Sequence, residues 1–128
     1  MTKAEGTFEL EFVPEEPYDD RDGIQLSRVH ISKTFSGDLV GVSETDIITV
    51  TTGHPVAYAG IERFDGMLDG RTGCFVLQHS AGADARVPWM TWKIVESSGT
   101  GELAGIRGEG QITTGPAGEH SYVLSYQL

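Results

Sequence analysis

Positive charge is scarce in this chain. Its 128 residues carry 9 Lys and Arg against 19 Asp and Glu, a net charge of −10. A surface of that sign repels phosphate backbones and anionic lipid heads, so neither nucleic acid nor a membrane surface is an expected partner. Cysteine is nearly absent too. Cys74 stands alone, which excludes an intrachain disulfide, and between Gly73 and Phe75 it reads as a small buried hydrophobe. No apolar run approaches a membrane span, and the N-terminal MTKAEGTFELEF lacks the apolar core of a signal peptide. These absences predict a cytoplasmic protein. Histidine is sparse and scattered. His30, His54, His79 and His120 form no H-x-H or HExxH pair, and no Cys/His spacing exists, so no metal is expected and a metal-binding cupin reading fails. Asp19, Asp20 and Asp22 lack the spacing of a calcium loop. A GxSxG nucleophile elbow is missing, and no cofactor is expected. No window shows a 3.6-residue period, so the chain is expected to hold little or no helix.

What is plentiful is glycine: 17 residues, nearly double the average usage of about 7 per cent. The glycines are interspersed with Val, Ile, Thr and Tyr, the composition of an all-β domain with many turns. The length fits one domain spanning residues 1–128. Strands are predicted at Gly6–Val13, Ile24–Phe35, Leu39–Val50, Val56–Phe64, Met67–His79, Trp89–Glu96, Glu102–Thr113 and His120–Gln127. The acidic, proline-containing PEEPYDDRDG (14–23) is a surface loop. Asp65-Gly66 reads as a hairpin turn. Ser98-Gly99-Thr100-Gly101 looks phosphate-friendly, but no Lys and no helix follow, so it reads as a turn as well.

A short pattern, G-x-L-x-G, occurs three times, at Gly37–Gly41, Gly66–Gly70 and Gly101–Gly105. The last two copies extend to a third glycine, Gly73 or Gly108, at odd spacing, as a β-bulge would require. Glycine-kinked strands let a sheet curl and close. Eight strands in up-and-down order bring the first and last together antiparallel, which removes both edges. The expected fold is therefore a closed, antiparallel, eight-stranded up-and-down β-barrel, with a two-sheet sandwich as the alternative.

The run from Tyr58-x-Gly60-x-Glu62-Arg63-Phe64 through Leu77-Gln78-His79, then Ser98–Gly110, then His120-x-Tyr122-x-Leu124-x-Tyr126, resembles the bacterial family catalogued as domain of unknown function 3224. The likeness runs from about Phe35 to the C-terminus. That family is similar in fold to the allene oxide cyclase-like barrels, so the resemblance implies a barrel. It implies no cyclase activity, because no catalytic residue of those enzymes aligns with a position here.

Tyr58, Glu62 and Phe64 share one strand face. If that face points inward, a carboxylate lies in an apolar barrel, where burial would raise its pKa and poise it as a general acid or base. Alternatively Glu62 forms a structural ion pair with Arg71 or Arg28. His79, in phase with Phe75 and Leu77, is a candidate proton shuttle at the barrel mouth or a hydrogen-bonded rim residue. Trp92, Tyr122 and Tyr126 alternate with polar neighbours and are candidate pocket walls, or core. Three functions follow: a barrel binding a small apolar or amphipathic ligand through Tyr58, Glu62, His79, Trp92, Tyr122 and Tyr126; a cofactor-independent cyclase or isomerase using Glu62 and His79; or a ligand-free structural or homo-oligomerising domain. Interior volume separates them, since a filled barrel favours the last and an open cavity exposing Glu62 favours the others.

Overall fold

Period-two alternation dominates the chain because eight long segments each turn one face inward. In the computed structural model, which describes every residue from Met1 to Leu128, the strands are β1 (Thr2–Pro14), β2 (Asp19–Arg21), β3 (Ile24–Gly37), β4 (Leu39–Thr51), β5 (Pro55–Leu68), β6 (Arg71–Asp84), β7 (Val87–Ile94), β8 (Arg107–Thr114) and β9 (His120–Gln127). All belong to one antiparallel sheet, with the order β1-β9-β8-β7-β6-β5-β4-β3-β2 and an additional β1–β3 pairing that closes it. The protein is thus a closed eight-stranded up-and-down barrel, and the sandwich alternative falls. β2 lies outside the ring, paired only to the start of β3. It occupies the acidic segment read from the sequence as a plain loop.

The two barrel ends differ. At one end β7 stops short, and residues 95–106 fold over the opening, with a single 3-10 turn at Gly101–Leu103 that buries Leu103 and Ile106. This segment takes the place of a strand beside the first half of β6. Ser98 Oγ accepts from Val76 N (3.0 Å), Thr100 Oγ1 from Cys74 N (3.1 Å) and Glu102 Oε1 from Thr72 N (3.0 Å). Alternate side chains satisfy alternate edge amides that would otherwise be orphaned. The expected strand from Glu102 therefore begins only at Arg107, because Ser98, Thr100 and Glu102 serve β6 through side chains. Cys74 faces outward in this region and is only part-buried, unlike the buried hydrophobe expected.

The middle of the barrel is filled by rings. Phe35 is the hub, with centroids 5.4 Å from Phe8, 5.6 Å from Phe64 and 5.5 Å from Tyr122. Trp92 stacks on it at 6.5 Å. Edge-to-face and tilted contacts of this kind add to the burial of large apolar surface.

The glycine repeat has a different meaning from the one its spacing suggests. Asp65-Gly66 is not a turn. It lies inside β5, and the hairpin turns at Asp69 and Gly70, both with positive φ (50° and 82°). The ladder passes from β5 to β6 without a register shift, and the bulge found in β5's other ladder, with β4, falls between Val50 and Thr51. Instead, Gly41, Gly66 and Gly73 face one another across β4, β5 and β6. A Cβ on Gly66 would stand 2.8 Å from Gly41 Cα, and one on Gly41 would stand 2.8 Å from Gly66 Cα. The row permits a close backbone approach that tightens the curl at the closed end. We predict that Gly66→Ala lowers stability by about 2 kcal/mol through backbone crowding. Gly70→Asn, in open space at a positive φ that Asn tolerates, is expected to lower it by less than about 1 kcal/mol. Urea denaturation of the two variants checks the contrast.

Candidate functional site

Three inward-facing side chains meet around one carboxylate halfway up the barrel. Glu62 from β5 is fully buried. Lys33 Nζ from β3 donates to its Oε1 at 3.0 Å, Ser43 Oγ from β4 donates to Oε2 at 2.6 Å, and Trp92 Nε1 from β7 donates to Oε1 at 3.1 Å. Three donors and no acceptor face the two oxygens, the environment of a carboxylate paired with an ammonium. The Lys33 ammonium also lies 4.9 Å from the Phe8 ring centroid and 5.8 Å from that of Trp92, so aromatic faces replace part of its lost hydration. The ion pair expected for Glu62 exists, but its partner is Lys33 rather than Arg71 or Arg28.

Lys33, Ser43 and Thr45 were not singled out from the sequence. The signal was present for Lys33, which sits between Ile31 and Phe35 at period two and so had to share their inward face. Thr45, opposite Glu62 in the ladder, is completely buried, and its Oγ1 has no hydrogen-bond partner.

A second polar pair stands above the first. Tyr58 OH lies 2.8 Å from His79 Nε2, with the two rings edge to face at 5.0 Å. Burial, then the nearby Lys33 charge, depresses the His79 pKa to about 4. Burial, then Glu62, raises that of Tyr58. Both groups are therefore neutral near pH 7. Two neutral arrangements close this bond: the phenol donates to Nε2 when the histidine proton is on Nδ1, and Nε2–H donates to the phenolic oxygen in the other tautomer; in both the phenolic oxygen keeps a lone pair.

Above this pair the barrel is open. Inward-phase residues near the closed end, such as Leu39, Leu68 and Leu124, are at most 1% exposed, whereas Leu10, Tyr58, Met90 and Ile112 toward the other end are only part-buried. A cleft of about 510 Å³ lies at this mouth, walled by Thr49, Tyr58, Ala81, Trp89, Met90 and Gln111 among others. Glu62 does not reach it. Tyr122 and Tyr126 are remote from the mouth: the Tyr122 hydroxyl is bound by Leu39 N at 2.8 Å and donates to Ser36 O at 3.0 Å, and that of Tyr126 donates to Asp69, all beside turns of the closed end. Trp92 lies beneath the mouth as a donor to Glu62.

A closed β-barrel with a sealed polar core and one open, aromatic-walled mouth is the class this geometry defines. The family model described as "Protein of unknown function (DUF3224)" matches residues 4–126, and the chain belongs to that family. A crystal structure of a protein of unknown function from the same family, from Shewanella oneidensis MR-1, superposes with a TM-score of 0.91 at 34% identity, covering 100% of this chain and 98% of that one. No curated protein matches the chain.

Two outcomes follow. Lys33→Met strands a buried carboxylate and is expected to destabilise the fold by about 3–5 kcal/mol, with part of the loss recovered in Lys33→Met/Glu62→Gln; chemical denaturation measures both. His79 has a folded pKa of about 4 against an ordinary value of about 6.5. Between these values the unfolded chain binds a proton that the folded one refuses, so stability rises with pH. The contribution is complete above about pH 6.5 and lost as pH falls through about 4. The pH dependence of the urea midpoint is expected to flatten across this window in His79→Gln relative to the wild type.

Proposed function

We propose that this protein is a small-molecule binding barrel whose site is its open mouth. The filled interior and buried Glu62 count against a ligand inside the barrel; the observation that carries the reading is instead the cleft of about 510 Å³ at the mouth above them. That volume lies within the range of small-ligand sites, and the walls combine apolar surface with a few polar groups. The ligand is apolar or amphipathic. Its body lies against Tyr58, Trp89 and Met90, and a donor group on it meets the free lone pair of the Tyr58 oxygen. Tyr58 and His79 are the polar anchors of this site. Glu62 acts one layer down by fixing Lys33 and Trp92.

A cyclase or isomerase reading receives less support. Its acid/base needs a group that reaches the substrate and changes protonation near the working pH. Glu62 is out of reach, and the Tyr58–His79 pair is neutral on both sides. Membership of the allene oxide cyclase-like superfamily and a cytoplasmic location belong to this proposal and rest on the barrel topology and the sequence alone.

Native mass spectrometry of the protein purified from its own host tests the reading. A bound small molecule is expected on the wild type and is expected to be lost from Ala81→Trp, whose indole would fill the mouth. A bare wild-type mass, or equal retention by both proteins, would contradict it.

A further inference from the structure

The barrel wall is incomplete on one side of the mouth. Neighbouring strands elsewhere in the ring pair over seven or more residues, but β7 and β8 share a single registered pair, Lys93 with Glu109. Toward the mouth from that pair, no ladder joins them.

Backbone alternation tells which groups face the seam. Val95 N donates to Val76 O and Gly115 N donates to Glu119 O. In an antiparallel ladder, every second residue turns both its N–H and its C=O to the same neighbour. The odd-numbered residues of β7 therefore bond β6, and those of β8 bond β9. The even-numbered ones turn toward each other's strand. Past the last rung these are Met90 and Pro88 on β7, and Ile112 and Thr114 on β8. Two local features mark this stretch. Pro88 has no N–H to give, and the Trp92 ring presses against Gly110 so closely that a Cβ there would stand 2.8 Å from Cε3.

We propose that the unpaired edge at Met90 and Ile112 is a recognition element for a neutral ligand bearing an amide edge, meaning a lactam, an imide or a carboxamide with adjacent N–H and C=O. The inference rests on the mouth being a ligand site and names the chemistry it selects. A strand residue with no partner offers an acceptor and a donor side by side, the complement of an amide edge, as in strand addition to a sheet. Met90 walls the cleft from one side of the seam and Gln111, next to Ile112, from the other. The chain's charge of −10 disfavours anionic ligands, and the ammonium of Lys33 is already committed to Glu62.

The test uses ¹⁵N-labelled full-length protein in two arms. In the first, amide hydrogen exchange of the free protein is followed by NMR. Met90 and Ile112 are expected to exchange at least about 100-fold faster than their neighbours Thr91 and Gln111, whose amides lie in complete ladders. Slow exchange at both would overturn the inference. In the second arm, quinolin-2(1H)-one, a lactam, is titrated beside 2-methoxyquinoline, which has the same rings but no N–H. The lactam is expected to bind about tenfold more tightly and to shift the Met90 and Ile112 amide signals. Equal affinities with shifts confined to Tyr58 and Trp89 would overturn the amide-edge inference and leave the mouth as a binding site. Binding of neither compound would count against both.

Discussion

The ion pair between Lys33 and Glu62 is the constraint around which the interior is arranged. Neither charge can sit in a barrel of this width without the other, since a lone buried charge costs several kcal/mol. Meeting that demand draws on four strands: β3 supplies the ammonium, β5 the carboxylate, and β4 and β7 the hydroxyl and indole donors. The pair thereby fixes how those strands rotate, because a one-residue slip in any of them would turn a charged or donor group outward. It also splits the barrel. Below it lie the rings and the plugged end; above it lie Tyr58, His79 and open space. A buried pair whose carboxylate accepts three donors holds the architecture, while the chemistry available to a ligand lies one layer higher.

The same tension between closure and access recurs in the wall. The glycine row at Gly41, Gly66 and Gly73 pulls three strands together at the closed end. The segment carrying Ser98, Thr100 and Glu102 then completes the edge of β6 with side chains in place of a strand. β7 pairs with β6 from Asp84–Val87 to Leu77–Ile94, yet it meets β8 at one pair only.

Much of the fold was legible in the sequence, and the reason is periodicity. Phe8 and Leu10, or Phe75 and Leu77, each repeat at two because a barrel wall has one wet and one dry face. Eight such segments suffice to define the ring. What period two does not carry is the position of a turn inside a glycine-rich run. Asp65-Gly66 and Asp69-Gly70 are chemically alike, and only the facing Gly41 and Gly73 decide that the first pair stays in the strand. The site was half legible. Tyr58, Glu62 and His79 share the inward face foreseen for them. Their pairing was not foreseeable, because Lys33 lies 29 residues from Glu62 and cross-barrel neighbours leave no mark on local sequence. Tyr122 and Tyr126 follow the right phase but belong to the far end, which phase alone does not distinguish from the mouth.

The central claim is that the charged interior beneath the mouth is sealed from solvent. Acrylamide quenching of tryptophan fluorescence tests it directly, since the chain holds two tryptophans, Trp89 at 42% exposure and Trp92 at 1%. In Trp89→Phe only Trp92, bound to Glu62, still emits. The account predicts that quenching of this variant is several-fold weaker than that of the wild type. Equally efficient quenching of the two would mean that solvent reaches the ion pair and that the interior is open.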